Sequence, residues 1–468
     1  MADDIIYLDA TELAARIKSG ELTSVQVVQA YLDRIRAVDP KINAIVTIND
    51  NALTEAKAAD DALAAGKEVG PLHGVPFTVK DSIDTDGILT QRGSPIFKGR
   101  TPDEDAVAVA RMKAAGGIVL AKTNLPEFSY STESNNLLTG RTNNPYNLDR
   151  TSGGSSGGES AAIAAGLSPI GLGTDLAISV RGPASHTGIA AIKPTHGRIP
   201  MTGVWPRVPR RDWHVGPMAR TIRDLELGYS IMRGPDGHDG FAITPNTVDA
   251  GKRDAAPQDL RVAWFTDSGL GPVDPQVADT VRQAAEALKA ASVHVEEIDI
   301  PTLHHDNPLA LFNKQHVMEL KPAMADATKG HEDLRFTMSK TMLATPDTSV
   351  EDYVAAEQGF ERIRDAYAEV FTKYDAVLLP VLPIPAHEHD KTEFVIDGQT
   401  VDATHIQTFT VQFNITGMPA LSMRFGTSSD GLPIGVQIAG PWHAESTVFN
   451  VASLLESVSP VRDAHPNI

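Results

Sequence analysis

Hydrophobic and polar positions alternate in short blocks along the chain, and two periods recur. Helical spacing marks Leu13 and Ile17 behind a capping box of Asp9 with Glu12. It marks Val27, Val28, Tyr31, Leu32 and Ile35 behind a second box of Thr23 with Gln26. Alanine-rich 52–65 reads as a helix, as does 105–115 with Val107, Val109 and Met112 as its inner face. Pro275 to Ala290 is a clear amphipathic helix with proline in its first turn. Short apolar runs read as strands at 41–47, 75–79, 118–121, 169–173, 261–264, 293–298, 376–381 and 434–438, with further strand content in 408–425. Residues 216–233 read as a helix with a basic start, 307–361 as mostly helical, and 445–455 as a closing helix. Strand alternating with helix points to an α/β sheet.

Composition narrows the function classes. Of 468 residues, 41 are basic and 60 acidic, a formal net charge of -19. That surface opposes unaided binding to nucleic acid or anionic membrane. There is no cysteine, so disulfides, thiolate nucleophiles and Cys-based metal sites are excluded together. The N-terminus, MADDIIYLDA, lacks the basic and apolar regions of a secretion signal, and a cytoplasmic location is expected. His304–His305 and the HEHD run at 387–390 form no metal-binding pattern, and no metal or cofactor is expected.

Two stretches concentrate chemistry. Thr151 to Arg198 opens with four glycines interleaved with serines (GGSSGG) and carries a second loop with Asp175, Ser179 and Arg181. Ordered apolar segments follow at once, which argues against a flexible linker. The stretch has no GxxxxGK[ST] phosphate loop. GGSSG matches a nucleophile elbow by letter, but follows a polar run rather than a buried strand. His73, His186 and His196 have no spacing that assigns a base. Upstream, the apolar strand at 75–79 delivers Lys80 to the edge of the core. Burial lowers a lysine from its ordinary ~10.4 toward the range of about 7–8 useful for proton transfer. Serine needs such a base to become nucleophilic.

The combination GVPFTVKD, TSGGSSGGESAAIAAG, GTDLAISVRGPAS and AAIKPTHGRIP resembles the amidase signature family. Weaker agreement runs through KTNLPEF, GPMARTIRD, DAVLLPVLP and NITGMPALS. The resemblance implies Lys80 as base, Ser155 as bridging serine behind a cis Gly154–Ser155 peptide, and Ser179 as nucleophile. The two serines are 24 residues apart, as in that family's loops. It implies an oxyanion hole of the backbone N–H groups of Leu176, Ala177, Ile178 and Ser179, with Asp175 and Arg181 bracing the loop. Where the family usually has Gly-Gly before its nucleophile, this chain has Ala177-Ile178, so strain or altered geometry is expected there, with activity kept and substrate range changed.

The fold expected is one domain over 1–468, a large mixed, twisted sheet covered by helices on both faces. Its signature core spans about 72–225, and a helical pocket cover about 305–365. Phe128, Tyr130, Gly154, Trp205 and Arg207 are candidate pocket residues. Trp205 and Trp213, with Arg207, Arg210 and Arg211 and stiffened by Pro206 and Pro209, form a candidate lid. That loop and Ala177-Ile178 resemble the aryl acylamidase and urethane-hydrolysing branch. The expected reaction is hydrolysis of a small-molecule carboxylic amide to acid and amine. Aryl acylamides are preferred, with esters or carbamates as possible extras. Two rivals are a glutamine-hydrolysing component of a tRNA-dependent amidotransferase and a non-catalytic binding protein on the same scaffold.

Overall fold

The short apolar runs become strands of one continuous sheet. The computed structural model describes residues 5–208 and 211–468. Eleven strands pair in that sheet: β1 (Ile45–Ile48), β2 (Pro76–Lys80), β3 (Ile118–Thr123), β4 (Ile170–Asp175), β5 (Ala190–Lys193), β6 (His214–Ala219), β7 (Arg261–Trp264), β8 (His294–Glu297), β9 (Ala376–Pro380), β10 (Ala420–Thr427) and β11 (Pro433–Ala439). Their spatial order is β1-β3-β2-β4-β6-β5-β10-β11-β9-β7-β8. β3, β2 and β4 run parallel, as do β9, β7 and β8; the pairs between β4 and β9 are antiparallel, as is the edge pair β1–β3. The sheet is therefore mixed. Strands β2, β3, β4, β6, β9 and β11 are buried at every position. Successive side chains point to opposite faces, so both faces must be covered.

That cover is helical. Among the described residues no helix is long and apolar enough to cross a membrane. No group of three or more His, Asp or Glu side chains among them is arranged to hold a metal ion.

Several local expectations are corrected. The Asp9–Glu12 capping box does not form. The helix Ala10–Ser19 is capped at long range by Asp224, whose carboxylate accepts from Ala10 N (2.6 Å), Thr11 N (2.9 Å) and Thr11 Oγ1 (2.8 Å). Asp9 and Glu12 bind arginines instead, Arg223 and Arg16. The Thr23–Gln26 box is present. Its helix runs on to Ile42, where Asn43 turns left-handed, so β1 starts only at Ile45. Residues 216–219 are the end of β6, and the helix after them starts at Ile222 behind its own cap, Thr221. Thr408–Ile415 is a helix buried at all eight positions, so it has no polar face to reveal a helical period, and its β-branched and aromatic residues mimic a strand. In the helix Val107–Ala114 the buried residues are Ala108, Val109 and Met112, while Val107 is only partly covered.

Removing the long-range cap tests its weight. Asp224→Ala leaves two helix N–H groups without their acceptor, and should lower unfolding stability in urea by about 1–3 kcal/mol. Asp224→Asn, which keeps one acceptor oxygen, should lose less.

Candidate active site

The apolar strand β2 ends on Lys80, and the sheet carries that residue inside. Lys80 is fully buried. Its Nζ lies 2.6 Å from Ser155 Oγ and 2.8 Å from Thr174 Oγ1. Both partners are hydroxyls rather than carboxylates, so no adjacent countercharge holds the proton. Burial therefore drives Lys80 well below the ordinary lysine range, against the more distant pull of Asp175 and Glu159. Glu159 is itself raised to about 7 by burial, with its oxygens taken by the Thr78 and Thr123 hydroxyls.

Ser155 sits in the loop between Thr151 and the helix Gly157–Ala164. The peptide bond Gly154–Ser155 is cis. Gly153 has φ +86° and lies against Pro183, where an added Cβ would come 2.9 Å from Pro183 Cα. A Cβ on Gly154 would come 2.6 Å from the backbone nitrogen of Glu133. The loop is thus threaded between residues 131–133 and the helix Arg181–Thr187, a passage only glycine allows. Ser156 binds it to the second loop, donating its N–H to the Ser179 carbonyl at 3.1 Å.

That second loop is a four-residue arch over a buried ion pair. Arg181 donates to Asp175 through Nε (3.1 Å) and Nη2 (2.9 Å), and neither side chain is exposed. Burial pushes the Asp175 carboxyl up, but the Arg181 guanidinium together with hydrogen bonds from Asn414 and the Val180 N–H leaves the group below its ordinary value. Asp175 Oδ2 also accepts from Val180 N at 3.1 Å, closing the arch. Arg181 reaches Thr410 O, Gln437 Oε1 and Asn414 Oδ1, while Asn414 Nδ2 returns to Asp175 Oδ1. The arch is thereby fastened to β11 and to the buried helix Thr408–Ile415. Among the described residues, none accepts a hydrogen bond from the N–H groups of Leu176, Ala177, Ile178 or Ser179.

The expected strain at Ala177-Ile178 is absent, because neither residue has positive φ. The branched side chain of Ile178 is accommodated by Gly182, whose missing Cβ would collide with Ile178 Cγ1.

Ser179 opens into a cavity of about 400 Å³. Its wall comprises residues 129–132 and 176–179, with Phe312, Asn313, His316 and Val317 of the helix Pro308–Ala327. Met338, Thr341, Met342 and Thr345 come from the region of the helix Thr337–Ala344, and Thr404 and Gln407 complete it. Of the five residues expected there, Tyr130 lines it. Phe128 and Trp205 instead pack on each other and on Phe97, with the Arg92 guanidinium over the Phe97 and Trp205 rings. Gly154 is covered by the backbone of 131–133, and Arg207 is exposed. In the candidate lid, Arg211 pairs with Glu319 and Glu357 on the covering helices and Trp213 is buried. Pro209 and Arg210 lie outside the described residues. The residues missed were those of the helical cover. Their one signal was the four-residue spacing of Phe312 with His316 and of Asn313 with Val317, which sets each pair on one helix face.

Breaking the buried pair should be costly. Arg181→Met strands the Asp175 carboxylate and should destabilise the protein by about 3–5 kcal/mol, read from urea unfolding; an unchanged midpoint would contradict the bracing role.

Relatives align over nearly the whole chain. The family model described as Amidase matches residues 26–449. A component of the glutamyl-tRNA(Gln) amidotransferase from Bdellovibrio bacteriovorus is 32% identical, over 99% of this chain and 100% of that protein. An acylamidase from Rhodococcus erythropolis is 33% identical, over 98% of this chain and 97% of its own. The solved structure of 6-aminohexanoate cyclic dimer hydrolase complexed with substrate superposes with a TM-score of 0.88, at 29% identity and 99% coverage of each chain. With its mixed sheet and its lysine-serine loops in place, the chain belongs to the amidase signature family and is a hydrolase of amide C–N bonds.

Proposed function

We propose that this amidase hydrolyses neutral aryl acylamides through a seryl acyl-enzyme on Ser179, with esters and carbamates (urethanes) as further substrates. The observation that carries the reading is the contact of buried Lys80 Nζ with Ser155 Oγ at 2.6 Å. Neutral Lys80 takes the proton of the Ser155 hydroxyl as Ser155 takes that of Ser179. Ser179 Oγ attacks the substrate carbonyl carbon, and the oxygen gains negative charge. The free N–H groups of residues 176–179 are the donors available to that oxyanion. Collapse breaks the C–N bond. Ser155 gives its proton to the departing amine and recovers one from Lys80. Water then attacks the acyl-enzyme by the same relay, releasing the acid and restoring Ser179.

The cavity favours an uncharged substrate. None of its lining residues is Asp, Glu, Lys or Arg. Its volume of about 400 Å³ suits a small aromatic amide. Free glutamine brings an ammonium and a carboxylate, and an unpaired buried charge costs several kcal/mol. The amidotransferase relative keeps glutamine hydrolysis in view as the second reading. A turnover screen separates them: acetanilide should exceed glutamine by about 10³-fold or more in kcat/KM, and the reverse order would favour the second reading.

The relay makes two further predictions. Lys80→Ala should lower kcat by about 10²–10⁴-fold, and Ser179→Ala should abolish turnover and covalent labelling by a fluorophosphonate. A fully active Lys80→Ala enzyme would exclude the base. In the wild type, kcat/KM should rise with pH as Lys80 loses its proton, with a midpoint well below the ordinary lysine value because burial disfavours the charged amine. Activity should fall on the acid side of that midpoint, where the lysine is charged.

A further inference from the structure

His316 lies outside the lysine-serine chemistry, in the cavity wall. It follows Phe312 by one helical turn, and the two rings stack with centroids 4.5 Å apart. The Tyr130 ring lies 5.7 Å away. Its Nδ1 is 2.8 Å from the Phe312 carbonyl oxygen. A carbonyl only accepts, so Nδ1 carries the ring hydrogen. Burial lowers His316 to about 4, so the ring is neutral near neutral pH. Nε2 is then a bare lone pair. Among the described residues it has no hydrogen-bond partner, and it is not one of the sealed, unpartnered polar atoms. It stays accessible in the wall.

Three threonines on the same wall are similarly committed. Thr341 Oγ1 donates to Thr337 O at 2.8 Å, and Thr345 Oγ1 to Thr341 O at 2.8 Å. Thr404 Oγ1 donates to Asp402 Oδ1 at 2.6 Å. Each has spent its hydrogen on its own chain segment, so what remains for a ligand is lone pairs. Tyr130, Asn313, Gln407 and the hydroxyls of Ser129, Ser131, Thr132 and Ser179 keep donors, but those hydroxyls can turn, whereas His316 is held in one tautomer and one orientation. A ligand without a donor would cover these acceptors and leave them unpaired.

We propose that His316 Nε2, the acceptor fixed in this wall, selects amides that carry a hydroxyl or amino donor on the group held against Phe312 and Tyr130. The proposal rests on the neutral-amide reading of the same cavity, and names the substrate class within it. A phenolic or amino-substituted anilide meets both demands, an uncharged ring and a donor.

Binding without turnover tests it. Calorimetry on Ser179→Ala should give N-(4-hydroxyphenyl)acetamide at least about 10-fold tighter binding than its methyl ether, N-(4-methoxyphenyl)acetamide. Adding His316→Phe should bring the two affinities together, while His316→Gln, which keeps an acceptor, should preserve much of the preference. Thermal unfolding of each variant checks that the fold is intact. Equal affinities in the parent, or a preference untouched by His316→Phe, would overturn the proposal. Because no bond is broken, this result is independent of the turnover screen that tests the amidase reading.

Discussion

The active site depends on an amine kept out of water with only hydroxyls for company. Lys80 is delivered by a strand buried at every position, and its Nζ meets Ser155 and Thr174. An ammonium there would have lost its hydration without gaining an adjacent carboxylate, which is why burial lowers Lys80 well below the ordinary lysine range. A lysine is a poor base in water because it is already protonated. Burial works against that charge, and the 2.6 Å contact sets Lys80 Nζ beside the Ser155 hydroxyl.

The remaining polar architecture holds two loops at that amine. Asp175 and Arg181 form a buried, bidentate pair that would gain little as a bare salt bridge, since desolvation offsets attraction. Their value is positional. Asp175 gathers the backbone of Val180 and the side chain of Asn414, while Arg181 fastens the arch to β11 and the helix Thr408–Ile415. The other loop is held by glycines, Gly153 and Gly154, at contacts that leave no room for a side chain. Ser155 and Ser179 therefore sit on braced loops, while much of the cavity wall beside Ser179 comes from the covering helices and from Ile178.

Legibility in the sequence follows the same division. The lysine and serine loops were readable because glycine density and a strand-end lysine are forced by local geometry, and because they match a family pattern. The amphipathic helix Pro275–Ala290 was readable because one face meets water. Thr408–Ile415 was not, because a helix buried all round shows no period. The cap from Asp224 to Ala10 and Thr11 spans more than two hundred residues, beyond any local motif. The cavity wall was the weakest reading for a related reason. Phe128 and Trp205 are aromatic and near the site in sequence, yet they satisfy each other and Arg92. Phe312 and His316 come from a distant helix, and only the fold brings them to Ser179.

The central claim concerns one proton, and it can be observed directly. Nitrogen-detected NMR of the protein with ¹⁵N-labelled lysine side chains, with Lys80 assigned from the spectrum of Lys80→Arg, follows the titration of each amine. The account predicts that the Lys80 resonance is that of a neutral amine at neutral pH, while exposed lysines remain charged. A Lys80 that titrates alongside them, near the ordinary ~10.4, would contradict it.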